Sequence, residues 1–370
     1  MHTQSKYRLL VVRLGAMGDI LHALPAVTAL RQAHPDWVID WVIEPAWCAL
    51  LTAECDEGQP RLGPAQPVVN RLYMASMKTW GRHPFRPETL HEISALRQAL
   101  RAGQYDAVLD FQGAVRSAAV GRMSGCRRRV GESHPREWAA RWLFTERIGT
   151  RGAHVIEQDV ELAAAVAGDH LDPVQPWLPI NPAAEAWCDG ILSPSASPLA
   201  VLLNPGAGWG AKRWPVERYA AVAATLVARG WRIFLNAGPG EEPLAEAIRK
   251  QSGGSTLPVH CSLAQLIALT RRVALVIAGD TGPLHLACAL GRPVVGIYGP
   301  TDPARNGPFG APFRVLRSPK SRRDHSRRAK PEAGLLTITP EAVLQAADEL
   351  LAGVPGAWSS LPWVSGETLA

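Results

Sequence analysis

The sequence predicts an α/β protein built from two open-sheet units, and three observations predict it. Short β-rich runs alternate with stretches of helical period, the pattern of parallel strands joined by crossover helices. The alternation breaks once, at Asp172–Pro198, which holds six prolines. It then resumes with the same logic over a similar length. The 370 residues suit two units of about 150–200 residues each. The boundaries read as a first domain over 1–171, a linker over 172–198, a second domain over 199–353 and a tail over 354–370.

Along the chain, Leu9–Val12 is the first strand, four apolar residues ended by Arg13. A glycine turn, Gly15 to Gly18, runs into the helix Ile20–Ala33. Strands follow at Trp37–Ile43, Val68–Tyr73 and Ala107–Phe111. Between and after them, Thr89–Ala102 and Val115–Met123 carry apolar residues at three- and four-residue spacing. In the second half, strands Leu199–Leu203, Arg232–Asn236, Val273–Ala278 and Val294–Tyr298 alternate with helices. Those are Val216–Arg229, Glu242–Gln251, Leu263–Arg271 and Gly282–Leu290. Ligands of open α/β sheets bind beyond the carboxyl ends of the strands, so the loops of both domains are expected to line a central cleft. The basic loop Ser318–Glu332 lacks large apolar residues and reads as surface. In the tail, Trp358 and Trp363 are expected to pin the chain end to the body.

With 47% hydrophobic and 19% charged residues, the chain has apolar material for two cores and is not disordered. The net charge of +6 suits an anionic partner without choosing among phosphate, nucleic acid and an acidic membrane surface. Six cysteines show no CxxC spacing, which argues against zinc and predicts isolated buried thiols in a reducing cytosol. Arg13 cuts the first apolar run too early for a signal peptide, and no apolar run reaches the length of a membrane span. A cytoplasmic location is expected.

Three loops of the second half carry phosphate chemistry. In "GDTGPLHLACALGRPVVGIYGPTDP", Asp280, Thr281 and Gly282 open a helix whose free amides, with the Thr281 hydroxyl, suit an anion; His285 lies one turn inside. The plainer alternative makes Asp280 an N-cap and His285 a core residue. In "NPGAGWGAKRWPVERY", Gly206 and its neighbours let backbone approach a ligand, and Lys212 supplies a point charge. This run is neither a Walker A loop nor GxGxxG. In "NAGPGEEP", Glu241 or Glu242 can accept from a ribose diol, or can simply favour a helix N-terminus. All three follow strands of one domain, and convergence on one nucleotide diphosphate is the economical reading.

In the first half, Asp19 can cap its helix or act as a base. Gly15 and Gly18 leave room for an acceptor, with His22 one turn on. Gln112 and Arg116 of "DFQGAVRS", Arg82 of "KTWGRHPFR" and Arg136 add a polar and basic rim for a polyanionic acceptor. Nucleic acid is set aside, because the basic residues lack interleaved aromatics.

The runs "VVRLGAMGDILHALPAV", "DFQGAVRS" and "GDTGPLHLACALGRPVVGIYGPTDP" together resemble the lipopolysaccharide heptosyltransferases of glycosyltransferase family 9, over roughly Arg8–Leu351. "DWVIEPAWCALL" looks closer to the first heptosyltransferase than to the second. The resemblance implies a GT-B fold, two Rossmann-like domains, with acceptor bound by the first and ADP-heptose by the second. It implies inverting transfer of L-glycero-D-manno-heptose without metal or cofactor, to the Kdo of Kdo2-lipid A for the first enzyme and to the heptose already added for the second. It implies that Asp19 is the general base and Lys212 the diphosphate-binding lysine. Gly206, Asp280, Thr281, Gly282, His285 and Glu241 or Glu242 take the donor, and Gly15, Gly18, His22, Arg82, Gln112, Arg116 and Arg136 the acceptor. A lipid-borne acceptor implies peripheral association with the cytoplasmic face of the inner membrane. Rival readings are a relative using another sugar or acceptor, and a nucleotide-responsive binding module without turnover.

Overall fold

The computed structural model describes residues 6–55, 61–192, 200–323 and 329–352. The tail with Trp358 and Trp363, and the centre of the basic loop, lie outside the described residues. The chain divides into two compact units. One comprises Met1–Ser193 with Cys261–Leu269 and Ala304–Asn306, the other Pro194–His260 with Thr270–Pro303 and Gly307–Ala370.

The first unit runs β1 (Arg8–Val12), α1 (Met17–Ala33), β2 (Val38–Ile43), β3 (Arg71–Met74), α2 (Met77–Arg82), α3 (Pro87–Ala102), β4 (Ala107–Asp110), α4 (Val115–Met123), β5 (Arg129–Glu132), β6 (Glu146–Ile148), α5 (Val155–Ala167) and α6 (Pro182–Leu192). Its six strands are all parallel in the order β3-β2-β1-β4-β5-β6. That is the doubly wound order in which chain direction across the sheet reverses between β1 and β4. Leu10, Val12, Val42, Tyr73, Leu100 and Val108 form the core on one face. On the other, α1 is buried along most of its length beneath α5. His154 caps α5 by accepting the Ile156 N–H, and Gly168 ends it in the left-handed region.

The second unit continues with β7 (Ala200–Asn204), α7 (Val216–Ala228), β8 (Arg232–Asn236), α8 (Glu242–Gln251), β9 (Leu257–Val259), α9 (Leu263–Arg272, of which 263–269 belong to the first unit), β10 (Leu275–Gly279), α10 (Gly282–Ala289), β11 (Val294–Tyr298), α11 (Pro303–Asn306, of which 304–306 belong to the first unit), β12 (Phe313–Arg317) and α12 (Pro340–Leu351). Its order, β12-β11-β10-β7-β8-β9, is again parallel throughout and repeats the first topology. Here the reversal lies between β7 and β10. Central strands are buried on both faces, as sheets covered by helices on each side require.

The run Asp172–Pro198, read as a linker with room for a short helix, carries the helix α6 over Pro182–Leu192. One feature departs from expectation. The cysteines do not all stand as isolated thiols, because Cys48 is bonded to Cys55. The chain folds back after the 3-10 turn Pro45–Leu50 and brings their Cα atoms to 5.6 Å, within disulfide range. Cys126, Cys188, Cys261 and Cys288 form no disulfide among the described residues.

Candidate functional site

Each unit gathers charged side chains at its own strand reversal. In the first, the turn after β1 leads into α1 with Ala16 as N-cap and Asp19 three residues inside. Asp19 Oδ2 accepts the Ala16 N–H at 3.2 Å, the reach-back of an acid in a helix's first turn. Its Oδ1 pairs with Arg13 Nη2 at 3.2 Å. The Asp19 side chain is 33% exposed while Arg13 is 8% exposed, so the carboxylate is the accessible member. Gly15 is occupied rather than open: a Cβ there would lie 2.8 Å from Trp47 Nε1. Gly18 lies in the first turn of α1.

The turn after β4 braces this loop. Asp110 Oδ1 accepts the N–H groups of Gln112 and Gly113, each at 2.8 Å. Gln112, buried, uses its Oε1 to accept the Leu14 N–H at 2.9 Å. Arg13 Nη1 donates to the Phe111 carbonyl, and the Trp41 indole N–H donates to the Arg13 carbonyl. Burial pushes the Asp110 carboxyl up to about 6, against its backbone donors and Arg13. From α5, Asp159 completes the cluster. Burial raises it to about 7, with the Arg13 charge opposing and the Asp19 charge adding, and its buried Oδ2 has no hydrogen-bond partner among the described residues.

The structure distributes the other acceptor candidates as follows. His22 is buried on α1, its ring edge-on to His154 at 5.6 Å. Arg116, on the first turn of α4, and Arg136 are exposed. Their turns adjoin, since the Glu137 N–H donates to the Gly113 carbonyl at 2.8 Å. Gly113 at φ 61° has no room for a Cβ, which would meet the Arg136 nitrogen at 3.0 Å. Arg82, at the end of α2, is exposed and shares no hydrogen bond or ion pair with the Asp19 turn among the described residues.

In the second unit the turns after β7, β8 and β10 are joined by buried amides. Asn236 Nδ2 donates to Asn204 Oδ1 at 2.5 Å, and Asn204 Nδ2 to Thr281 Oγ1 at 3.4 Å. Thr281, not Asp280, is the N-cap of α10, and Gly282 is its first residue. Asp280 is committed elsewhere: its Oδ2 accepts from Lys212 Nζ at 2.5 Å, and its Oδ1 lies 3.3 Å from His285 Nε2. Burial alone would push Asp280 up. The His285 hydrogen bond and the charges of Lys212 and His285 outweigh it and hold the carboxyl well below the carboxylate range. The Lys212 ammonium also stands 4.6 Å over the Trp209 ring. Gly206 makes room for Glu241, whose carboxylate accepts the Gly238 N–H at 3.0 Å. Glu242 begins α8 in full exposure, held below its ordinary range by backbone N–H groups at the helix start.

Lys212, Asp280, Thr281, Gly282 and His285 therefore meet, with Gly206 and Glu241 adjoining through the β7 and β8 turns. Arg13, Asp159, Asn204 and Asn236 belong to these clusters and were not singled out from sequence; buried polar residues at strand ends were the available signal. Among the described residues, no group of three or more His, Cys, Asp or Glu side chains could hold a metal ion.

Comparison with known proteins identifies relatives of the whole chain. The family model of glycosyltransferase family 9 (heptosyltransferase) matches residues 93–335. Lipopolysaccharide heptosyltransferase 1 of Escherichia coli K12 is 30% identical, covering 91% of this chain and 98% of its own length. Lipopolysaccharide heptosyltransferase 2 of the same strain is 26% identical over 93% of this chain and 98% of its own. The structure of E. coli heptosyltransferase WaaC with ADP superposes with TM-score 0.76 at 28% identity, covering 93% of this chain and 99% of that one. WaaC with ADP-2-deoxy-2-fluoro heptose gives 0.73 at 27% identity, over 92% and 99%.

Proposed function

The chain belongs to glycosyltransferase family 9, the heptosyltransferases, and from that membership we propose the finer reaction. It moves L-glycero-D-manno-heptose from ADP-heptose to the Kdo of Kdo2-lipid A, as the first heptosyltransferase of the lipopolysaccharide core. The observation that carries the donor half is the Lys212–Asp280–His285 cluster at the start of α10, beside Glu241, the proposed partner of a ribose diol, in the space Gly206 leaves. WaaC, similar over nearly the whole chain, has been seen with ADP and with a fluorinated ADP-heptose. The higher identity to heptosyltransferase 1 than to heptosyltransferase 2 supports Kdo as acceptor.

In this reading inversion is one in-line displacement at the anomeric carbon. Asp19 takes the proton of the acceptor hydroxyl as the bond to ADP breaks. Arg13 and the Ala16 N–H hold that carboxylate in one orientation and leave it accessible. As charge grows on the leaving diphosphate, Lys212, the Thr281 hydroxyl and the free amides of α10 offset it, so neither metal nor cofactor is required. Arg82, Arg116 and Arg136 are proposed contacts for the anionic acceptor, with Gly18 at the edge of the base's turn. Gln112, Gly15 and His22, bound into the first unit's interior, support this site from within. No helix among the described residues is long and apolar enough to cross a membrane. A lipid-borne acceptor then calls for peripheral work at the cytoplasmic face of the inner membrane.

The test is transfer from ADP-heptose to Kdo2-lipid A and to heptosyl-Kdo2-lipid A, read by product mass. Product only on the second acceptor would assign the chain to the second heptosyltransferase step. Thermal stabilisation by UDP- or GDP-sugars alone would overturn the donor. Asp19→Asn is expected to lose about a hundredfold or more in rate while ADP binding persists. Retained transfer would remove Asp19 as the base.

A further inference from the structure

The 3-10 turn Trp138–Trp142 presents two large indoles to solvent, Trp138 at 60% and Trp142 at 68% exposure. Paired exposed tryptophans call for an occupant, because each forgoes a large apolar burial. The turn beneath them is firmly held. Ala140 and Phe144 are buried against Ala118 of α4, and the Glu137 carboxylate accepts the Val115 N–H at 2.9 Å. The indoles stand edge to face with centroids 5.6 Å apart. Between them the Arg141 guanidinium lies 5.0 Å from the Trp138 ring and 5.7 Å from the Trp142 ring. Among the described residues Arg141 Nε has no hydrogen-bond partner and its guanidinium no carboxylate, so this cation is held by aromatic faces. Val115, 39% exposed, extends the apolar surface.

The sequence around the turn is cationic. From Phe111 to Thr150 there are eight arginines against three glutamates and no aspartate. Glu137, the acid nearest the indoles in sequence, is engaged on the Val115 N–H.

We infer that the Trp138–Arg141–Trp142 turn docks the first unit onto an anionic phospholipid surface. The indoles sit at headgroup depth, where rings with one polar and one apolar side are favoured. Arg141 gives its N–H groups to lipid phosphate while keeping its aromatic contacts, and the arginine excess draws the unit to the surface. A protein's buried interface would satisfy the tryptophans but would leave Arg141 needing a carboxylate inside it. A phosphate-rich interface satisfies both. The inference rests on the reading that the acceptor is membrane-borne, and it names the surface that meets the membrane.

The experiment is co-sedimentation of the full chain with acceptor-free vesicles of phosphatidylglycerol and phosphatidylethanolamine at physiological ionic strength. Trp138→Ser/Trp142→Ser is expected to weaken partitioning at least about tenfold. Arg141→Gln is expected to weaken it about fivefold and serves independently should the double variant melt early. In parallel, transfer is measured on acceptor carried in the same vesicles and on a deacylated, water-soluble acceptor. The variants should lose rate on the vesicle-borne acceptor and keep it on the soluble one. Equal partitioning of wild type and variants, or wild type that stays in the supernatant, overturns the inference. So does an equal loss on both acceptors, which would make the indoles an acceptor-sugar platform. If wild type transfers to neither acceptor, the proposed reaction fails, while the acceptor-free partitioning still judges the docking turn.

Discussion

Replacing Asp159 by asparagine should make the protein less sensitive to alkali, by an amount the structure sets. Asp159 is buried, its Oδ2 lacks a partner among the described residues, and its carboxyl is pushed up to about 7 from the ordinary carboxylate range. A carboxyl raised in the folded state keeps its proton where the unfolded chain has already lost it. Between about pH 4 and pH 7 the folded state therefore binds the extra proton, and stability falls as pH rises. Above the folded value the penalty is complete. At about 1.4 kcal/mol per pH unit over about three units, it amounts to about 4 kcal/mol. Asparagine keeps the shape and removes the titration. Any constant effect of the amide cancels when the variant-minus-wild-type stability is compared across pH. Asp110, pushed up to about 6, adds a slope of the same sign, but it is present in both proteins. The assay is urea unfolding of both at about pH 5, 7 and 9, followed by hydrogen-exchange protection in α1 and α5. The difference in stability should move in the variant's favour by about 2–4 kcal/mol from the lowest to the highest pH. A difference flat across that window would refute the reasoning, because Asp159 would then not titrate within it.

Asp280→Asn removes the carboxylate that partners Lys212 and should cost about 3 kcal/mol without ligand, since a buried cation loses its countercharge. Because the Asp280 carboxyl lies below its ordinary range, this stability is present above about pH 4 and lost only as pH falls further, so the deficit should stay level at neutral and alkaline pH. A diphosphate would resupply the charge, so ADP should raise the melting temperature more in the variant than in wild type; an equal rise would mean that ADP does not meet Lys212. Gln112→Leu deprives the Leu14 N–H of its acceptor and loosens the Asp19 turn. We expect kcat to fall about tenfold or more with ADP affinity unchanged, read by steady-state kinetics and calorimetry, and a selective loss of ADP affinity would contradict it.

The central strands and most helices, though not α5 and α12, were legible because burial leaves an apolar signature. Arg232–Asn236, Val294–Tyr298 and Val115–Met123 fall where the sequence puts them. Apart from β3, which the reading Val68–Tyr73 overlaps, the outer strands were not. Arg129–Glu132, Glu146–Ile148, Leu257–Val259 and Phe313–Arg317 are three to five residues long and partly exposed, so charged or polar side chains interrupt any pattern. At the site, Asp19, Lys212 and Asp280 stood out as charges beside glycine turns. The groups that position them did not. Arg13 finds the Phe111 carbonyl, and Gln112 the Leu14 N–H, across 98 residues each. Asn204 and Asn236 meet only because β7 and β8 pair. The Cys48–Cys55 bond likewise depends on how the chain turns after Leu51.

The two strand reversals hold the same device with opposite chemistry. Each pairs a cation with a carboxylate, Arg13 with Asp19 in one unit and Lys212 with Asp280 in the other. What differs is which member solvent can reach. In the first pair the guanidinium is 8% exposed and further tied to the Phe111 carbonyl, while the carboxylate is 33% exposed. Such a pair presents a fixed acceptor of protons. In the second, lysine and aspartate are 14% and 10% exposed, and the carboxylate is shared with His285 while the ammonium rests over Trp209. An ammonium has three donors, and those left by Asp280 and the Trp209 face are available to an anion arriving at the amides of α10. The second pair thus holds a positive charge in readiness without leaving it unpaired in a low-dielectric interior, a cost of several kcal/mol that an isolated buried lysine would bear. Exposure, and not residue type alone, suits one pair to the proposed base and the other to the proposed anion receptor.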